Sequence, residues 1–77
     1  MSKEEVISKI EYLVLKYVPE RSDLIELINK DIDSIKYVLA EISRYKKNEY
    51  GENDKEIIKD IAFFYISIIH IDTPIPT

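Results

Sequence analysis

Few residues in this chain could carry chemistry, and their spacings argue against most reactions. Asn29, Asp31 and Asp33 alternate like the opening of a calcium-binding loop. The pattern then fails, because the sixth position holds no glycine and Ala40 stands where a bidentate glutamate must close the coordination shell. Helix capping is the better use for these acids. His70 is the one histidine, so neither a histidine pair nor an HExxH arrangement can hold a metal. Near a helix C-terminus its cationic form is favoured by the dipole. The absence of cysteine removes thiolate metal sites and thiol nucleophiles. A single glycine, Gly51, cannot build a phosphate-cradling loop. The carboxylate pairs Glu4 and Glu5, and Asp54 and Glu56, fall in expected first helical turns, where acids simply stabilise the helix. The residue set therefore predicts a non-enzyme with no catalytic residue, metal, cofactor or small-molecule substrate. Six tyrosines remain. Tyr17, Tyr45 and Tyr65 fit core-facing or core-edge positions, Tyr12 and Tyr37 project outward, and Tyr50 sits in a loop.

These residues must be positioned by helices. Ser2 with Glu5 three residues on is a capping box, and Val6, Ile7, Ile10, Leu13, Val14 and Tyr17 recur at helical spacing, which predicts a helix over 2–18 ended by Pro19. A second helical segment over 22–47 is capped by Ser22 and carries Leu24, Ile28, Ile35, Leu39 and Ile42 on one face, flanked by Ile32, Val38 and Tyr45. Run unbroken, it would place Asp31 in the middle of that face, so a break is expected near 29–33, with Asp31 or Asp33 capping a fresh helix. The segment KNEYGEN is the one clear loop, where Gly51 supplies permissive backbone. Asn53 with Glu56 repeats the capping signature for a last helix over 53–70, and Pro74 and Pro76 make 71–77 an extended tail. The expected fold is a single all-α domain, a small three- or four-helix antiparallel bundle.

Seventy-seven residues form one domain at most, and a domain of this size buries only about 60 to 65% of its unfolded surface. Without cysteine it relies on packing or on a partner. The formal net charge of -4 disfavours a general nucleic-acid binder. Charge is unevenly spread: Lys36, Arg44, Lys46 and Lys47 outnumber Glu41 and Glu49 over 36–50, whereas acids dominate 20–33. The start MSKEEV shows no secretory signal, so a cytoplasmic location is expected. Richness in Lys and Glu with no Gln or Cys suits a thermophilic source, although an AT-rich genome gives the same Ile, Lys and Tyr bias.

The stretch IIKDIAFFYISIIHI, residues 57–71, is apolar around nearly its whole helical circumference yet too short in its uninterrupted core to span a bilayer. A membrane-surface role is disfavoured by Asp60 and the lack of a basic polar face. At 100° per residue, Ile57, Ile61, Phe64, Tyr65 and Ile68 make the stripe that faces the core, and Phe63 and Ile66 lie outside it. Phe63 and Ile66 are the expected partner-binding residues, with Tyr12 and Leu15 a weaker pair on the first helix. The partner is a protein, either a larger subunit or a second copy. The alternative is a helix-turn-helix regulator, read from SDLIELIN, KDID and SIKYVLAEISRYKK, in which Arg44, Lys46 and Lys47 would contact nucleic acid. Its turn lacks glycine, and Asp33 and Glu41 would face phosphates.

In stretches such as EEVISKIEYLVLKYVPERSDL and IIKDIAFFYISIIHI, the chain resembles the small accessory subunits of the crenarchaeal replicative DNA polymerase holoenzyme. The resemblance implies a non-enzymatic subunit that binds the polymerase in DNA replication, and it transfers no functional residue.

Overall fold

The computed structural model describes residues 1–46 and 50–72; the side chains of Lys46 and of residues 69–72 fall outside that description. Four helices account for nearly all of it: α1 (Lys3–Tyr17), α2 (Asp23–Lys30), α3 (Ile35–Lys46) and α4 (Glu52–Asp72), with 3₁₀ turns at Pro19–Arg21 and Ile32–Ser34. The protein is a small all-α bundle, and no strand occurs among the described residues.

α1 starts where its sequence says. Ser2 is extended, and its Oγ accepts the Glu5 N–H at 3.2 Å, while Glu4 and Glu5 meet the positive end of the dipole. Val6, Ile10, Leu13 and Val14 are buried, and Val18, whose N–H closes the helix on the Val14 carbonyl at 2.8 Å, is buried as well. Pro19 then opens a 3₁₀ turn, where its missing N–H costs nothing. This turn changes the role expected of Ser22. Its backbone is already helical (φ -63°, ψ -16°) and its side chain makes no cap, because the turn feeds directly into α2.

The expected break between α2 and α3 is present. Asp31 is extended, its carboxylate accepts the Asp33 N–H at 3.0 Å, and its carbonyl accepts the Ser34 hydroxyl at 2.6 Å. The alternating acids thus form a cap, and Asp31 is exposed. The break also re-phases the second half: Val38 is fully buried and Leu39 only half, whereas an unbroken helix would centre Leu39. Tyr45, expected at the core edge, is 49% exposed for the same reason.

α4 begins one residue before the expected Asn53. The cap position falls to Gly51, whose carbonyl accepts the Lys55 N–H at 3.0 Å, and Asn53 sits inside the first turn. At the other end the helix runs past His70 to Asp72, because nothing stops it before Thr73, which precedes Pro74. Ile71 and Asp72 are therefore helical, and the remainder of the expected extended tail, 73–77, lies outside the described residues.

The core is aliphatic: Leu24 and Ile28 from α2, Ile35, Val38 and Ile42 from α3, and the α1 residues close around Ile61. Although α4 is the longest helix, Ile61 is its only fully buried apolar side chain among the described residues. Its stripe partners Ile57, Phe64 and Tyr65 pack against the core while remaining half exposed.

Candidate functional site

α1 and α4 run antiparallel, and their two ends behave differently. At the N-terminal end of α4, Asp54 is 1% exposed, which the sequence pattern gave no reason to expect of a first-turn acid. α1 reaches it with three side chains. Tyr12 donates its hydroxyl to Oδ1 at 2.9 Å, Tyr17 donates to Oδ2, and the Lys16 ammonium lies 2.9 Å from Oδ2. Lys16 also donates to the Tyr12 oxygen at 3.0 Å. Tyr17 in turn accepts the Gly51 N–H at 3.4 Å and packs against the edge of Tyr50 (centroids 5.0 Å apart), so the loop before α4 is tied to the same cluster.

The electrostatics follow from these contacts. Hydrogen bonds from Tyr17 and then Lys16 hold the Asp54 carboxyl below the usual carboxylate range, outweighing the desolvation that opposes them. The bond to Asp54 keeps the Tyr17 hydroxyl protonated to higher pH than an ordinary tyrosine, and bonds to Tyr12 and then Asp54 likewise strengthen the hold of Lys16 on its proton. A carboxylate of lowered basicity, with both oxygens committed to donors, makes a poor general base. The arrangement is a lock between helices.

A second polar cluster joins the Pro19–Arg21 turn to α3. Arg21 forks onto Asp23 (3.0 and 2.9 Å) and reaches Glu41 at 2.7 Å, and Arg44 approaches the other Glu41 oxygen at 3.5 Å. Both guanidinium groups lie over Tyr45, at 5.5 and 6.0 Å from its ring. Arg44, one of the expected nucleic-acid contacts, thus meets Glu41 while its side chain stays 73% exposed. The side chain of Lys46, and Lys47 altogether, lie outside the described residues, as does the His70 side chain.

The C-terminal half of α4 contrasts with both clusters. Phe63 is 63% and Ile66 48% exposed, and a shallow apolar recess lies on either side of them. One, between α3 and α4, is lined by Ile35, Leu39, Ala62, Tyr65 and Ile66, with Lys36 its only charged residue. The other brings Met1 at the start of the chain against Phe63, Phe64, Ser67 and Ile68, with Asp60 its only charged side chain. The weaker pair lies elsewhere. Leu15 is 54% exposed on α1, and Tyr12, 42% exposed, is engaged by Asp54 some 13 Å along α4 from Phe63 at 1.5 Å per residue. Tyr12 is first of all a structural residue, which its outward angle on the helical wheel concealed. The signal that could have revealed the Asp54 lock was Tyr12 and Lys16, two donors four residues apart beside Tyr17, on a helix antiparallel to one beginning with an acid.

No group of three or more metal-ligating side chains converges among the described residues, and no helix among them is long and apolar enough to cross a membrane. No family model, curated protein or solved structure matches this chain.

Proposed function

We propose that the chain works as a non-catalytic helical interaction module, a small accessory subunit that associates with protein through the outer face of α4. The observation that carries this reading is the pair Phe63 and Ile66, bulky apolar side chains left in solvent between two apolar recesses on the most apolar helix. Scattered exposed apolar residues need no explanation, but a contiguous patch with polar neighbours is how docking faces look. Aromatic and large aliphatic anchors of this kind supply most interface energy. The resemblance to crenarchaeal polymerase accessory subunits makes a DNA polymerase holoenzyme acting in replication, in the cytoplasm of a thermophilic archaeon, the first assembly to test. Affinity capture from such cells, comparing the wild-type chain with a Phe63→Asp, Ile66→Asp double variant, tests it. Loss of specific polymerase subunits from the variant supports the reading, and identical captures remove it.

A second reading, a helix-turn-helix DNA-binding regulator, rests on α2 and α3 following one another across a four-residue connection, residues 31–34. The engagement of Arg44 with Glu41 weighs against it. A salt-dependent mobility shift with duplex DNA would favour it, and no binding at low salt would discard it.

A further inference from the structure

The outer face of α4 has a charge pattern as well as an apolar centre. Glu52, Glu56 and Asp60 follow one another at four-residue spacing, and all three are exposed. Lys55 and Lys59, also exposed, form the neighbouring row. At 100° per residue the acids centre about 80° round the helix from the lysines, with the mean direction of Phe63 and Ile66 between the two. The two recesses repeat this segregation, with Asp60 at the rim on the acidic side and Lys36 of α3 at the rim on the basic side. The only ion pair described within these rows is Glu52 with Lys55 at 3.7 Å. Its side chains are 93% and 57% exposed, so both can be shared with another molecule.

From this pattern we infer that the face is self-complementary and that its occupant is a second copy of this chain, paired through α4 with the two helices parallel. The inference rests on the proposed docking role of Phe63 and Ile66 and names their partner. Symmetry selects the orientation. Two identical faces can meet about a two-fold axis lying in the interface, either across the helices or along them. An axis across α4 makes the helices antiparallel and sets acids on acids and lysines on lysines. An axis along α4 makes them parallel and places Glu56 and Asp60 of each copy opposite the lysine edge of the other. Lys36 of each copy then meets the other's Asp60-bordered recess, and Phe63 turns toward the other's apolar groove beside Ile35 and Leu39. This is how charged flanks choose partner and orientation in paired helices. A face one helix wide is smaller than a standard stable interface, so the dimer is a reversible one.

Sedimentation equilibrium on the full chain from about 10 μM to about 1 mM, concentrations that bracket a weak dimer, tests this. The expected result is a reversible dimer that Phe63→Asp weakens at least tenfold, with far-UV circular dichroism checking that the variant stays folded. Two charge-reversed variants, Lys55→Glu with Lys59→Glu and Glu56→Lys with Asp60→Lys, alter exposed residues only. Each should dimerise at least tenfold more weakly alone, and the two should pair with each other when mixed. Pyrene attached through Glu52→Cys should give excimer emission in the dimer, since parallel helices bring position 52 beside its own copy. A dimer without excimer emission, or one indifferent to charge reversal, overturns the parallel pairing. A chain that stays monomeric throughout overturns the second copy as occupant. If that monomer still captures another protein through Phe63 and Ile66, the broader docking proposal survives; if it captures none, both fall.

Discussion

The two ends of α4 solve opposite problems. At its start, a charged group is buried, and every oxygen it presents is met by donors from α1: Tyr12, Tyr17 and Lys16 close on Asp54. Nine residues later, apolar side chains that burial would reward stand in solvent. The difference teaches where the chain's self-sufficiency ends. The polar end is saturated within the molecule and fixes α4 against α1, as burying a charge demands. The apolar end has surface to spare after Ile61 has filled the core, which a bundle this small cannot cover.

Mutations can break the comparison. The largest effect is expected for Ile61→Ala, which empties the site of the one apolar side chain that α4 buries fully among the described residues and should cost about 2–5 kcal/mol in chemical denaturation. Asp54→Ala should come next: it leaves Tyr12, Tyr17 and Lys16 without their shared acceptor, and its melting temperature should fall between that of Ile61→Ala and wild type. If Asp54→Ala melts like wild type, the lock is ornamental.

The same cluster predicts a two-sided pH dependence. Because the folded-state pKa of Asp54 is lowered, its contribution is present above the ordinary carboxylate value of about 4 and is lost as pH falls through the folded value. Because those of Tyr17 and Lys16 are raised, their contribution is present below about 10 and is lost as pH rises beyond it. Asp54→Asn should flatten the acid limb of the stability profile measured by denaturation, and an unchanged limb would assign it to other carboxylates.

At the apolar end, Phe63→Ala should change the stability of the dilute chain by no more than about 0.5 kcal/mol, as expected for a surface position. The smallest effect belongs to Gly51→Ala. The Gly51 backbone is not left-handed, and an added methyl would meet Asp54 Oδ2 at an ordinary 3.8 Å, so the glycine is not required by the turn. A large loss there would show that the loop needs freedom the contacts do not reveal.

The bundle itself was legible because periodicity, caps and prolines act locally. Ser2, Pro19 and Asp31 each mark a boundary that the structure honours. The α4 stripe was legible too, as was the exposure of Phe63 and Ile66, since both follow from angle alone. What angle could not supply was any relation between helices. Asp54 looked like one more first-turn acid because its burial depends on α1 lying antiparallel with Tyr12 and Tyr17 at the matching height. Tyr45 was misplaced because a 3₁₀ turn eleven residues away rotated its helix. Ser22 failed as a cap for a similar reason, the preceding turn having already begun the helical path.

The claim that Phe63 and Ile66 exceed the needs of the fold and serve association is tested most directly by thermal melting across protein concentration. Wild type should melt at higher temperature as concentration rises, since association stabilises the folded chain. The Phe63→Asp, Ile66→Asp double variant should melt independently of concentration, at the temperature wild type reaches on dilution. A variant that melts far below wild type even at the lowest concentration, as Ile61→Ala should, would place both residues in the core and contradict the account.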